Sequence, residues 1–264
     1  MMKKIKVGKR VFVRVRAEVI LIDGDYQRQC FDEVRARRIG REFDPNRFGT
    51  PVCSLRSDGG LYAIDGQHRV RGLVLEDLGH KVIEVQVLEG YSVEQEAELF
   101  WQINGPGGGR KVKAFDNYRA RLVFHEPLAV EVDAIVSAEG LRVAQHPSAH
   151  AVGAIGEMEK AHKRNANLAT TLSVLHSWAK AIGDNGKTYD KLLIRCTSDF
   201  LADYETADHQ MLARKLMKLT PDNVKNRINL ECTAFKGTET KRQVANTVLV
   251  SIYNAGRGKK LKRA

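Results

Sequence analysis

A glycine set between an apolar strand and a helix constrains this chain more than any other feature. Gly60-Leu61-Tyr62-Ala63-Ile64 is a short apolar run entered through the turn-former Asp58-Gly59-Gly60, which reads as a strand. Beyond Gly66, Val70, Leu73, Val74 and Leu78 recur at i, i+3, i+4 and i+8, a helix with one apolar face stopped by Gly79. Gln67, His68 and Arg69 therefore fall on the first helical turn. A helix start carries unpaired N–H groups and a partial positive charge, so it attracts anions. Gly66 lacks the Cβ that would hold a ligand away, and Arg69 adds a cation with bidentate reach. The chemistry favoured by these residues is phosphate binding. The plainer account has Asp65 capping the helix while the polar side chains are merely solvated.

Asp65-Gly66-Gln67-His68-Arg69 in this strand–helix setting resembles the phosphate-binding signature of the ParB/sulfiredoxin superfamily. ParB members usually carry Gly-Glu-Arg-Arg and sulfiredoxin-like members Gly-Cys-His-Arg. A third group, often phage-borne or linked to DNA modification, carries the five residues found here. The resemblance covers about the first 120 residues. Asp25-Tyr26-Gln27-Arg28 resembles the segment in which an arginine precedes the first helix and faces the nucleotide, and Ile39 to Pro45 resembles the end of that helix. Ile83, Val85 and Val87 alternate with Glu84 and Gln86, a half-buried strand. Ser92-Val93-Glu94-Gln95 is a capping box opening a helix through Ala97, Phe100 and Ile103 to Asn104. Relatives that bind nucleotide with magnesium carry Glu-Asn near this helix end. Here Ile103-Asn104 keeps the amide and lacks the carboxylate, which speaks against a carried-over metal site.

Composition narrows the classes further. In a chain of 264 residues, 43% hydrophobic, no run approaches the ~18 apolar residues of a membrane span. The first residues, Met1 to Lys6, lack the pattern of a signal peptide. Cys30, Cys53, Cys196 and Cys232 are far apart, without a C-x-x-C pair, and read as small buried hydrophobes of a reducing compartment. Sulfiredoxin chemistry is not expected, because the position of its cysteine is Gln67 here. No serine elbow, P-loop or H-E-x-x-H helix is present.

The net charge of +11 sits at the ends. Residues 1–16 hold seven Lys/Arg and no acid, and residues 254–264 hold Arg257, Lys259, Lys260, Lys262 and Arg263 and no acid. Such basic ends suit nucleic-acid phosphates, or serve solubility alone. Around the first helix, Arg28, Arg35, Arg37, Arg38 and Arg41 outnumber Asp32, Glu33 and Glu42, and either line an anion site or form a solvated face.

Gly105-Pro106-Gly107-Gly108-Gly109 breaks the chain, with Arg110, Lys111 and Lys113 directly after it; it reads as a hinge or as a phosphate-wrapping loop. Helical periodicity dominates beyond it. Leu168, Leu172, Leu175, Ala179 and Ile182 precede Gly183, and Tyr189 to Tyr204 repeats the pattern. Thr220-Pro221 caps a helix carrying Val224, Ile228, Cys232 and Phe235, and Val244, Val248 and Ile252 mark a last one. His146, His150 and His162 are spaced too irregularly for a metal site and read as solvated or singly bonded.

The expectation is an α+β chain: a ParB/sulfiredoxin-like domain over 1–112, a small mixed sheet with helices, then an all-α domain over 113–264 ending in a basic tail. The resemblance implies a cytoplasmic, bacterial or phage protein in which a nucleoside triphosphate controls DNA engagement or assembly. Its contacts would come from Arg28, Gly66, Gln67, His68, Arg69, Asn104 and Arg110, with DNA phosphates met by Arg257, Lys259, Lys260, Lys262 and Arg263. The alternatives are an enzyme of the superfamily (nuclease, NTPase or phosphotransferase, with Asp65 as base or ligand) and an interaction module whose motif holds no ligand. A homodimer is compatible with any of these. No metal ligands are assigned.

Overall fold

Alternating valines mark the first strand. Val11, Val13 and Val15 lie on one side of β1 (Arg10–Arg16), whose neighbour β5 (Val82–Glu89) presents Ile83, Val85 and Val87 to the same core. The computed structural model describes residues 10–29, 31–105, 112–146, 148–234, 241–256 and 260–261. The chain divides into two compact units, residues 1–126 and 127–264.

The first unit is built on a mixed five-stranded sheet in the order β1-β5-β3-β4-β2, with β2 (Ile20–Leu21), β3 (Val52–Leu55) and β4 (Leu61–Asp65). β1 pairs antiparallel with β5, β5 parallel with β3, β3 antiparallel with β4, and β4 parallel with β2. Arg14 and Arg16, read from sequence as part of a basic end, are strand residues instead: Arg14 is opposite Glu84, and Arg16 pairs with Glu18 at 3.0 Å. The period-2 alternation of valine drew them into the sheet. Lys3, Lys4, Lys6 and Lys9 lie outside the described residues.

Helices α1 (Glu33–Arg41) and α3 (Gln67–Leu75) cross almost backbone to backbone. A Cβ on Gly40 would sit 2.2 Å from the carbonyl oxygen of Gly72, and one on Gly72 would sit 2.3 Å from that of Ala36. Between them α2 (Pro45–Phe48) is capped by the Asp44 side chain, which accepts from Asn46 N–H at 2.9 Å. The capping box at Ser92 and Gln95 is formed, and α4 runs from Val93 to Asn104. α5 (Ala114–Val123) packs on α4. The motif helix is shorter than its periodicity suggested. It ends at Leu75, Val70 and Leu73 are buried, and Val74 faces solvent. A polar patch, Gln67 and His68, is buried in its first turn instead.

The second unit is mainly helical: α6 (Pro127–Ala138), α7 (Ile155–Asn165), α8 (Leu168–Ile182), α9 (Lys191–Asp203), α10 (His209–Leu216), α11 (Pro221–Ala234) and α12 (Lys241–Asn254). The α8 pattern and its Gly183 stop are as the sequence indicates, and Thr220 Oγ1 accepts from Asn223 N–H at α11. A two-stranded pair, β6 (Arg142–Val143) and β7 (Ala151–Val152), interrupts the helices and is too short to show periodicity. Trp178 of α8 is fully buried and donates its indole N–H to Leu219 O at 2.9 Å. No helix among the described residues is long and apolar enough to cross a membrane.

Candidate functional site

The strand–glycine–helix turn sits at one end of the sheet because β4 is bulged there. Val52 opposes Asp65 while the next residue, Cys53, opposes Ala63, so Ile64 is the extra residue. A bulge bends its strand and re-aims the residues beyond it. Gln27, buried, donates its amide to the carbonyls of Ala63 (2.8 Å) and Ile64 (2.9 Å), satisfying the backbone that the bulge leaves unpaired. Gly66 then takes φ +101°, and a Cβ there would come within 2.9 Å of Pro51 Cβ. Both the left-handed backbone and the close approach demand glycine.

A largely buried ion cluster holds the loops around Tyr26 and Arg56. Arg56 Nε donates to Glu96 Oε1 at 2.9 Å and its Nη2 to Asp23 Oδ2 at 2.7 Å; Tyr26 OH donates to Glu96 Oε2 at 3.0 Å. Glu96 is fully buried, and this pairing satisfies its charge. Burial first, and the neighbouring Glu96 carboxylate second, push the Tyr26 phenol well above its usual range, so it stays a donor. The tyrosine thus anchors the segment from which Gln27 and Arg28 project.

A cleft of about 710 Å³ opens at the motif turn. Of the residues singled out by sequence, Arg28, Asp65, Gly66, Gln67, His68, Arg69 and Asn104 all line it. Arg28 Nη2 donates to Asn104 Oδ1 at 3.0 Å, and Asn104 Nδ2 donates to Phe100 O at 3.0 Å, so the α4 terminus holds the arginine. Ile103 beside it is an apolar part of the wall. Arg110 lies outside the described residues.

Asp65 does not cap α3. Gly66 is the N-cap and offers no side chain, while the Asp65 carboxylate accepts from Arg69 Nη2 at 2.9 Å, one turn along. Arg69 Nη1 also donates to Phe48 O at 3.2 Å. The i,i+4 pairing wins because Gly66 turns β4 so sharply that Asp65 ends on the strand. The first-turn N–H groups of α3 are therefore without a side-chain cap at the cleft.

His68 is largely buried and stacks on Phe31, ring centroids 5.0 Å apart, and Arg71 lies over the Phe31 ring at 4.2 Å from its centroid. The His68 Nε2 accepts the Asp32 N–H at 3.3 Å, which puts the proton on Nδ1. Burial, then the charge of Arg28, hold its pKa below the usual histidine value. Gln67 is also buried, and its Oε1 has no hydrogen-bond partner. An orphaned buried acceptor at a cleft wall is a position waiting for a donor.

Several lining groups were not singled out in the motif. Arg35 of α1 and Arg47 of α2 face the cleft, whereas Arg37 and Arg41 pair with Glu76 at 3.1 and 3.0 Å. The arginine-rich first helix is therefore split between an anion site and a surface ion network. Glu42 and Asp44 also line the cleft, and Asp44 opens α2 at an Asp-Pro helix start. Cys53 and Cys196 are buried, each thiol pushed up to about 12 chiefly by burial, which favours the protonated form; Cys232 is partly buried. Cys30 lies outside the described residues. Of the tail cations, Lys260 is exposed, and Arg257, Lys259, Lys262 and Arg263 lie outside the described residues.

In the second unit, His162 Nε2 contacts Glu131 Oε2 at 2.8 Å and His146 is exposed. His150 is exposed and has Asp184 as its ion-pair partner, and it also meets His176, in a cluster whose ligand-type atoms lie within 4.8 Å of one another. Sequence spacing could not show this, since the three residues come from a loop, a helix and a turn.

No curated protein and no solved structure matches the chain. A family model does, over residues 23–263, from just before the Asp25–Arg28 segment to the tail. The chain belongs to the family of unknown function DUF6551.

Proposed function

We propose that the first unit binds the phosphates of a nucleotide in the cleft above Gly66, and that the protein is a ParB-like, DNA-associated factor controlled by that occupancy. The observation that carries the reading is the turn itself. An uncapped helix start, a glycine whose left-handed backbone makes the turn, and four arginines (Arg28, Arg35, Arg47, Arg69) share one cleft. Its volume falls within the ~300–1,000 Å³ usual for small-molecule sites. The orphaned Gln67 Oε1 and the apolar Ile103 and Phe100 provide for a part of the ligand other than phosphate. The resemblance to the ParB/sulfiredoxin superfamily supplies nucleotide as that ligand, and the basic tail supplies the link to DNA.

Binding without rapid turnover is the reading we favour. Magnesium is held by carboxylates together with phosphate oxygens. Here Asp65 is engaged by Arg69, and Ile103 stands where nucleotide-hydrolysing relatives carry glutamate. An NTPase, phosphotransferase or nuclease is the second reading, favoured by Glu42, Asp44 and Asp65 lining the same cleft.

Calorimetry with the common nucleoside triphosphates tests the proposal. Arg69→Ala removes a charge-assisted bond and is expected to weaken binding by about 2 kcal/mol, more than tenfold. If none of them binds at millimolar concentration, the proposal fails. Phosphate release that Asp65→Ala abolishes would establish the second reading.

A further inference from the structure

Three polar groups in the second unit converge, with their ligand-type atoms within 4.8 Å of one another. His150 precedes β7, His176 is in the middle of α8, and Asp184 comes just after that helix. His150 Nδ1 lies 3.6 Å from Asp184 Oδ2, and the two imidazole rings meet edge to face with centroids 5.6 Å apart. A tetrahedral ion with bonds of about 2.0–2.1 Å separates its ligands by about 3.3 Å. The cluster, with its ligand-type atoms within 4.8 Å, is close to that arrangement before any ion draws it in.

The surroundings hold these groups in place. His150 adopts φ +54°, a strained conformation for a non-glycine residue, and its N–H donates to Asp184 Oδ2 at 2.9 Å. Gly186, at φ +80°, packs so closely on Ser148 that a Cβ would lie 2.6 Å from its backbone, and its N–H donates to Asp184 Oδ1 at 2.9 Å. Tyr189 OH donates to Asp184 Oδ2 at 3.1 Å and contacts His176 Nδ1 at 2.6 Å. Since the tyrosine proton goes to the carboxylate, His176 Nδ1 must donate to the tyrosine oxygen, which leaves its lone pair on Nε2. Such outer hydrogen bonds orient and polarise metal-bound histidines. Lys180, one turn along α8 from His176, is the cation whose repulsion a metal must outweigh.

We propose that His150, His176 and Asp184 bind one divalent transition-metal ion, with two imidazoles and one carboxylate as ligands. The side chain of His150 is 56% exposed and that of Asp184 only 7%, so the site is anchored on one side and open to water on the other. Three protein ligands and an open fourth position describe a site that admits an exogenous ligand as well as the ion. The donor set, two nitrogens and one oxygen, selects zinc or a neighbouring first-row ion over magnesium or calcium.

The test uses untagged full-length protein stripped with chelator and titrated with Zn²⁺ by calorimetry, and with Co²⁺ monitored by visible absorption. One equivalent of Zn²⁺ with micromolar or tighter affinity, and the visible bands of tetrahedral cobalt, are expected. His150→Ala, at an exposed position, and the near-isosteric Asp184→Asn are each expected to weaken binding at least tenfold. Tyr189→Phe, which touches no ion, is expected to weaken it about tenfold through His176. Far-UV circular dichroism verifies that each variant is folded. Absence of stoichiometric binding in the wild type, or affinity unchanged by His150→Ala and Asp184→Asn, overturns the proposal.

Discussion

His68 ties the wall of the cleft to the fold. Its ring fills the space between Phe31 and the first turn of α3, and its Nε2 accepts the N–H of Asp32, the residue that caps α1. Protonation would destroy that acceptor and set a charge beside Arg28, and burial already disfavours it. The folded pKa is below the ordinary 6.5, so the neutral ring's contribution is present above pH 6.5 and is lost as pH falls through the lowered folded value. Urea denaturation of wild type and His68→Gln between about pH 7.5 and 5 checks this. The stability advantage of the wild type should shrink as pH falls; a constant difference would mean that His68 does not titrate between the two states. Asp65 is the complementary lesson. Its sequence position allowed a helix cap, and the φ of Gly66 removed that role in favour of the pair with Arg69.

At the scale of elements, the cleft depends on how closely α1 and α3 approach. Ala36, Gly40 and Gly72 let the two backbones touch, which sets Arg35 on one helix near the His68 and Arg69 turn of the other. Alanine in a helix is ordinarily favoured over glycine by about 1 kcal/mol. At Gly72 the added Cβ would lie 2.3 Å from a backbone oxygen, and backbone cannot move aside as a flexible side chain can. Gly72→Ala is therefore expected to destabilise the first unit, by about 1–3 kcal/mol, and to weaken ligand binding as the helices part. Chemical denaturation measures the first effect and calorimetry the second. A stabilised variant would show that propensity outweighs the crossing. The ion cluster that anchors the Tyr26–Arg28 segment works at the same scale: Arg56, Asp23 and Tyr26 come from loops and Glu96 from α4, and removing Arg56 would strand the buried Glu96 charge.

For the molecule as a whole, charge and chemistry are distributed unequally. The cleft belongs to the first unit, the histidine cluster to the second, and much of the net positive charge to the two ends of the sequence. Leu261 exchanges hydrogen bonds of 2.8 and 2.9 Å with Asn254, tying this tail residue to the end of α12. If the tail contacts DNA phosphates, binding releases counterions in proportion to those contacts. Deleting residues 257–264 removes five cations and should flatten the log–log salt dependence of DNA affinity by up to about 0.9 per lost contact. An unchanged slope would leave the tail with solubility as its role.

Local rules explain why much of this was readable from sequence. The alternation in β5, the capping box of α4, the Thr-Pro start of α11 and the glycine stop of α8 are each set by residues within a few positions. The motif turn was legible for the same reason, because a glycine flanked by an apolar run and a helical period restricts the backbone locally. Tertiary structure alone decided the meetings between distant segments. The bulge at Ile64 and its repair by Gln27, the choice of Arg35 and Arg47 over Arg37 and Arg41 for the cleft, and the convergence of His150 with His176 and Asp184 carry no local period. They result from how closely helices and loops can pack, and that closeness is a property of the assembled fold.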